Sequence, residues 1–420
     1  MANSSSPSSV AIRSYQVGFG DCFLLTFLYP DKKRYVLVDF GTNGTPEGND
    51  REQLLKIAQD IQHQCGAKLH VVVATHRHKD HISGFSTTGT ESPGRIIADC
   101  HPDIVIQPWT EDPDAKTNAQ EATQGRVENF TTTLTSMQGF AGRAFAETRH
   151  LRRFSSPALG QLSFAGQNNL PNLSAVQNLR KMAKTRFYVN CGFALDLREV
   201  LPGVNIWVLG PPTLKQSDRI KKETRSDPDE FWLQQANFWK LATRAHSDGR
   251  PLFRNAIVGR RFPLATRWFA GRAAQVRTDE LFELVRILDK EMNNTSLILL
   301  MEFNGKRLLL PGDAQIENWS YALQQPKYTD LLQGVNLYKV GHHGSRNATP
   351  KSLWKLFQNK SPRPSPLRLK TVVSTMAGKY GKNPETEVPR STLVSELKDE
   401  SDFFTTQELT KGVFYYDVSI

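Results

Sequence analysis

The apolar run Leu69-His-Val-Val-Val-Ala-Thr75 breaks directly into His76-Arg77-His78-Lys79-Asp80-His81, and no other stretch narrows the folds open to this chain as far. The run is short and β-branched, so it reads as a buried strand. Its C-terminal edge then delivers two imidazoles, a carboxylate and a third imidazole into one loop. Neutral imidazoles with carboxylates suit zinc and related divalent ions. Two histidines two apart can grip one ion, and the Asp-His pair beyond is displaced enough to hold a second. The plain alternative is a solvated His/Lys loop. Histidine makes up only 10 of 420 residues, so three within six positions fit chance poorly. The pattern points to metal-assisted chemistry.

Length and composition set the frame. A chain of 420 residues exceeds one ordinary core, which predicts one large domain with a big insertion, or two domains. With 39% hydrophobic and 23% charged residues, it reads as globular rather than disordered. The net charge of +11 and pI near 9.4 favour polyanions as partners, such as nucleic acid or nucleotides. Four cysteines, Cys22, Cys65, Cys100 and Cys191, form no Cys-x-x-Cys pair. That predicts a reducing compartment without a disulfide framework. Residues 1–10 read as a disordered polar tail, not a signal peptide. No apolar stretch reaches spanning length, so a cytoplasmic protein without membrane contact is expected.

Strand and helix signals alternate at both ends of the chain. Ala11–Val17, Cys22–Leu28 and Tyr35–Asp39 read as strands, with Gly18-Phe-Gly-Asp21 as a turn and Asp31–Arg34 as a hairpin tip. Arg51–Cys65 has helical spacing, with Leu54, Leu55, Ile57, Ala58 and Ile61 near one face. Residues 102–290 read as a mainly helical insertion, except that 185–212 contains core strands, Leu195–Leu197 and Val204–Leu209 among them. Inside it, Arg254, Arg260, Arg261, Arg267 and Arg272 interleave with Phe253, Phe262, Trp268 and Phe269, a pattern able to track a nucleic-acid backbone and stack bases. A packed helical face with a solvated Arg rim explains the same pattern. Asp279–Met292 reads as a helix. Strands follow at Ser296–Met301 and Lys306–Leu310, joined by Asn304-Gly305, a hairpin signal. Helical spacing near Trp319–Leu332, a strand over Val335–Val340, a helix around Pro350–Asn359 and a strand over Lys370–Ser374 complete the reading. Asp39, Asp313 and the Gly-bracketed His342-His343 each stand at a strand end, where open α/β sheets build their sites.

Together, in this order, these pieces resemble the metallo-β-lactamase superfamily, and within it the hydrolase domain of the ComEC-type DNA-uptake competence proteins. The residues that carry the resemblance are Val17-Gly-Phe-Gly-Asp-Cys-Phe-Leu-Leu25, Val36-Leu-Val-Asp-Phe-Gly41, the His76–His81 motif and Val208-Leu-Gly-Pro-Pro212. Asn293-Asn-Thr-Ser-Leu-Ile-Leu-Leu300, Leu309-Leu-Pro-Gly-Asp-Ala314 and Lys339-Val-Gly-His-His-Gly-Ser345 complete it. The resemblance implies an α/β fold, an αββα sandwich of two mixed sheets flanked by helices over residues 11–420. It implies two Zn2+ ions, or Mn2+ in their place. His76 and His78 would hold the first ion; Asp80 and His81 would hold the second, with a histidine from His342-His343; Asp313 would bridge them. His342 is taken as the ligand and His343 as substrate-facing, an order the sequence leaves open. Asp39 would stand behind the ligands and orient the loop.

Two departures mark this chain. Where many superfamily hydrolases place a further histidine, Asn293-Asn294 stands, as in competence-type domains, so these two residues are expected beside the first ion. The competence-type ending Tyr-Gly-His-Pro is replaced by Lys379-Tyr-Gly-Lys-Asn-Pro384, which makes Lys379 and Tyr380 candidates for substrate contact. The implied activity is metal-dependent hydrolysis, with Asp80 and His343 closest to the chemistry and a phosphodiester, in nucleic acid or nucleotide, as the favoured bond. A small ester, lactone or thioester suits the same centre. A partner-controlled effector, with the insertion as its interaction surface, is the third reading.

Overall fold

A computed structural model describes residues 6–112, 172–217, 292–345, 349–376, 378–379, 387–410 and 412–420. All of them fall in one compact unit, Met1–Thr132, Asn172–Ile220 and Met292–Ile420. A second unit, Thr133–Pro171 and Lys221–Glu291, lies outside the described residues. The Arg254–Arg272 group and nearly all of the helix expected over Asp279–Met292 lie there too.

The fold begins with short strands that pair in sequence order. β1 (Ser9–Tyr15), β2 (Cys22–Leu28), β3 (Lys33–Phe40), β4 (Val71–Val73), β5 (Ile104–Pro108), β6 (Thr185–Val189) and β13 (Tyr415–Ser419) form one sheet, in the order β13-β1-β2-β3-β4-β5-β6. The pairs from β13 to β3 are antiparallel and those from β3 to β6 parallel. The second sheet contains β7 (Asn205–Gly210), β8 (Ile298–Phe303), β9 (Lys306–Leu310), β10 (Leu337–Lys339), β11 (Lys370–Val373) and β12 (Asp402–Thr405). Its order is β12-β11-β10-β9-β8-β7, antiparallel across β7, β8 and β9 and parallel beyond.

Alternation along these strands makes the layers. Val36, Val38, Val71 and Val73 point into the same core as Leu299, Met301, Leu308 and Leu310, so the two sheets face each other. Phe27 and Phe303 meet across that core, ring centroids 5.8 Å apart. The intervening residues Leu37 and Val72 turn the other way, onto α1 (Asp50–Gln64) and α3 (Pro93–Ala98). α4 (Leu173–Lys181) packs there as well. On the far side, Ile298, Leu300 and Leu309 pack on α5 (Ile316–Ala322), α7 (Lys351–Leu356) and α8 (Ser391–Glu400), with α6 (Pro326–Gln333) beside them. The result is an α/β structure of two mixed sheets flanked by helices. β4 is buried on both faces and paired on both edges, which accounts for its run of three valines.

Several expectations shift in detail. The chain is ordered in β1 from Ser9, inside the segment expected as tail, because β2 and β13 pair with it on both sides. Leu195–Leu197 is a loop, not a strand, although both leucines still enter the core between the sheets. In α1 the inward face is Leu54, Ile57, Ala58 and Ile61; Leu55 stays half-buried. Asn304 and Gly305 have φ of 45° and 73°, the pair of positive values that a tight β8–β9 hairpin requires. Among the described residues no helix is long and apolar enough to cross a membrane.

One buried group links this fold to pH. His70 enters β4, and its Nδ1 accepts the Tyr35 backbone N–H at 3.0 Å. Burial, helped by the Arg34 charge, lowers its pKa from 6.5 to about 4. Between those values the unfolded chain binds a proton that the folded chain refuses, so stability rises with pH across that window. Melting temperature is therefore expected to fall between pH 6.5 and pH 4. His70→Asn, whose Oδ1 can accept the same hydrogen bond without a proton, should flatten the part of that fall His70 causes. An unchanged pH slope in the variant would count against it.

Candidate metal centre

The parallel strands of both sheets end at one edge, and the charged residues collect there. Asp39, next to last in β3, has a left-handed φ of 54°, the kind of backbone strain that concentrates at functional sites. Its Oδ1 accepts the Thr75 backbone N–H at 2.7 Å, and its Oδ2 accepts the Thr75 hydroxyl at 2.7 Å. The same Oδ2 lies 2.8 Å from His81 Nδ1. Asp39 thereby ties β3 to the loop after β4, and its Oδ2 accepts the His81 Nδ1–H, the arrangement that leaves Nε2 as the donor atom of a neutral His81.

A single turn, α2 (Lys79–Ile82), carries Asp80 and His81. Gly41 lets that turn approach closely. A Cβ on Gly41 would stand 2.5 Å from the Asp80 carbonyl carbon and the His81 nitrogen.

Asp80, His81, Asp313 and His343 offer ligand atoms that all lie within 4.8 Å of one another, and all four side chains are buried. His343 Nε2 is 3.3 Å from Asp80 Oδ2 and 3.6 Å from Asp313 Oδ2. Its Nδ1 lies 3.0 Å from the Ser374 carbonyl oxygen, so that nitrogen carries the proton and Nε2 faces the carboxylates. Phe19 packs on the ring, centroids 4.4 Å apart. His81 Nε2 is 3.0 Å from Asp313 Oδ2. Asp80 Oδ1 has no hydrogen-bond partner. Buried imidazole and carboxylate donors crowded this closely are arranged as ligands of one cation are. His76 and His78 converge beside this group, with Nε2 and Nδ1 2.9 Å apart, both rings buried.

The two adjacent histidines part company here. The expected order is His342 as the ligand and His343 as substrate-facing, but it is His343 whose donor atom joins the buried group. His343 belongs to the four-membered group, and His342 does not. His342 is half-buried, its Nδ1 paired with Ser345 Oγ at 2.9 Å, and its backbone N–H donates to Asp313 Oδ1 at 3.1 Å. Both residues hold left-handed backbones, φ 44° and 54°, which splay the consecutive rings apart. Periodicity cannot foresee that, because a strand or helix would have placed them differently.

Two members of the site were read only as a turn residue and a strand residue. Asp21 is fully buried and forms an ion pair with Lys339, itself buried at the end of β10. Lys339 Nζ also donates to the Gly312 carbonyl oxygen at 3.1 Å and lies 3.6 Å from Asp313 Oδ1. The signal was present: a lysine in an apolar strand needs a buried carboxylate.

Burial opposes every charge in this cluster, and the neighbours decide the outcome. It would lower His81 and His343, but Asp313 with Asp39 lifts His81 well above the usual imidazole range, and Asp313 with Asp21 raises His343. Burial would raise Asp313, but His81 and His343 pull it well below the carboxylate range. His76 is pushed well down by burial and by the His81 and His78 charges, so its imidazole is neutral. Burial lifts Asp21, while Lys339 is held charged by Asp21 and Asp313 against its own burial.

The donor set fits divalent cations. Asp21, Asp39, Asp80 and Asp313 are four buried carboxylates facing one ammonium, Lys339. With the imidazoles neutral, as metal ligands are, three negative charges remain, which two divalent ions with one anion between them would neutralise. Nitrogen and oxygen donors suit zinc or manganese.

Asn293 and Asn294 are buried in the turn before β8. Lys379 is exposed and lies against Gly44 in the loop after β3. Tyr380, Arg254, Arg260, Arg261, Arg267 and Arg272 lie outside the described residues. No protein-family model and no curated protein matches the chain.

Asp39 offers a direct test of the support behind the ligands. Asp39→Asn keeps the shape but weakens the hold on His81 Nδ1. An outer partner of this kind is worth roughly 10–100-fold in metal affinity. Competition with a chelator should show zinc binding weakened by that much, with little change in the circular dichroism of the apoprotein. Unaltered affinity would remove Asp39 from the site.

Proposed function

We propose that the chain is a metal-dependent hydrolase with a metallo-β-lactamase-type dinuclear centre, acting on phosphodiester bonds. The observation that carries the reading is the buried convergence of Asp80, His81, Asp313 and His343 from the loops after β4, β9 and β10. Asp80, His81 and His343 would hold one ion, His76 and His78 the other, with Asp313 shared. When bound, such an ion pair supplies Lewis acidity and water ionised near neutral pH.

The chain's own groups do the rest. Asp39 and Ser374 fix the imidazole tautomers of His81 and His343. Asp80 keeps its carboxylate charged in the buried site, where His343 and His81 offset the cost of burial. His342 is the least enclosed imidazole of the site, braced by Ser345, and is placed to hold a proton for the leaving group.

The phosphodiester preference rests on the resemblance to competence-type hydrolase domains and on the net charge of +11, which favours polyanions. The test is the protein reloaded with Zn2+ or Mn2+ and offered single- and double-stranded DNA, RNA and bis-p-nitrophenyl phosphate. Cleavage that needs metal and falls steeply with salt is the expected result. Inertness to all four, with turnover of a neutral lactone or thioester instead, would replace the phosphodiester with a small ester. Inertness throughout would leave a partner-controlled module.

A further inference from the structure

Arg77 stands between His76 and His78, and a carboxylate from another loop holds its guanidinium. Arg77 Nε donates to Glu111 Oε1 and Oε2, both at 2.7 Å, and Nη2 lies 2.6 Å from Oε2. Two guanidinium nitrogens share the carboxylate, a forked, charge-assisted contact that fixes direction as well as distance. The Glu111 side chain is 4% exposed and that of Arg77 20%. Enclosing two charges is costly, and an arginine kept only for surface charge would remain in water.

The carboxylate comes from a firm support. Glu111 ends a 3-10 turn, Trp109–Glu111, directly after β5. Trp109 is fully buried, and its indole N–H donates to the Pro212 carbonyl oxygen at 3.3 Å. β5 runs parallel to β4, and the Ala74 N–H donates to the Ile106 carbonyl oxygen at 3.0 Å. The histidine loop is fastened on either side of Arg77. Before it, the Thr75 carbonyl oxygen accepts the Leu297 N–H at 2.9 Å. After it, the His78 carbonyl oxygen accepts the His81 and Ile82 N–H groups at 3.0 and 3.1 Å. Glu111 adds a hold on the side chain of the residue between. That residue matters because the facing donor atoms are His76 Nε2 and His78 Nδ1, 2.9 Å apart. Nδ1 is the ring nitrogen nearer the main chain, so the backbone sets its place more than ring rotation does.

Resting on the dinuclear reading above, we propose that Glu111 is a positioning residue: through Arg77 it sets the backbone between His76 and His78 and so preforms the site of their ion. Asp39 and Ser374 each orient one ring on the other side of the centre. Glu111 instead fixes the spacing of two ligands at once.

The experiment is zinc titration of the metal-free full chain by calorimetry with chelator competition, with metal-free thermal melts alongside. Wild type should take two ions. His76→Ala should lose one step, which identifies it. Glu111→Gln keeps the shape without the charge and should weaken that same step at least about tenfold, the scale of an outer partner of metal ligands, with the other step unchanged. Arg77→Met should weaken it as much. Added to Arg77→Met, Glu111→Gln should do nothing more, since both cut one link. With cobalt in place of zinc, Glu111→Gln should alter only the visible bands that His76→Ala abolishes. Two unaltered steps in Glu111→Gln would overturn the proposal. So would a further loss when Glu111→Gln joins Arg77→Met, the mark of a carboxylate acting on the ion by charge alone. Both steps weakened equally, with a lower metal-free melting temperature, would make the ion pair a brace of the whole fold and overturn it too. A wild type that takes fewer than two ions overturns the dinuclear reading itself, and this proposal with it.

Discussion

Asp313→Ala is expected to keep its fold and lose its chemistry. Asp313 Oδ2 stands 3.0 Å from His81 Nε2 and 3.6 Å from His343 Nε2, and Oδ1 receives the His342 N–H. Among the described residues no other carboxylate touches all three histidine-bearing positions. On the proposed reading, several kcal/mol of ion-dependent stabilisation would go with it, on the order of 10^3-fold or more in turnover of a phosphodiester. Metal content by mass spectrometry should drop from two ions to one at most. The metal-free protein should melt within a few degrees of wild type. The buried cluster carries more negative than positive charge, and Lys339 retains its Asp21 partner. A variant that keeps both ions, or turnover within tenfold of wild type, would remove Asp313 from the shared position.

The second large effect runs the opposite way, against the fold. Asp21→Ala leaves the Lys339 ammonium buried with the more distant Asp313 and Asp39 as its counter-charges. Breaking a buried ion pair by removing one partner costs about 3–5 kcal/mol, chiefly because the other charge stays behind. Urea denaturation of the metal-free protein should show a loss of that size. Lys339→Met alone should be comparably harmful, because it strands Asp21. The double variant should recover most of the loss, since neither charge then remains. Additive losses in the double variant would show that the two residues stabilise the protein independently. The pairing of the two outcomes matters. One carboxylate, Asp313, 3.6 Å from the Lys339 ammonium, is expected to govern ion binding with little effect on folding, and Asp21, in direct contact with the same lysine, to govern folding.

Much of this was legible before any coordinates. The valines of β4 announced a strand buried on both faces, and the break into His76–His81 announced a loop of donors at its end. The Asn304-Gly305 hairpin and the inward face of α1 followed from local backbone and period rules. Other elements carried no such signal. β12, α8 and β13 lie beyond Ser374, where the sequence shows no strand or helix signal of its own, and β13 exists because β1 offers it an edge from the opposite end of the chain. The Asp21–Lys339 pair joins residues from two different sheets, so no window of sequence contains both.

The kinds of donor, and their position at strand ends, are properties of short segments, since alternation and turn chemistry act over a few residues. Their partnership is not. Asp80 and His343 are 263 positions apart and 3.3 Å away from each other. Which of His342 and His343 joins the carboxylates depends on two left-handed residues and on the Ser374 carbonyl that orients the ring. Which charges can remain buried depends on where two sheet edges meet. Coulomb energy and hydrogen-bond direction are set by distance in space, and only packing of the two sheets determines that distance.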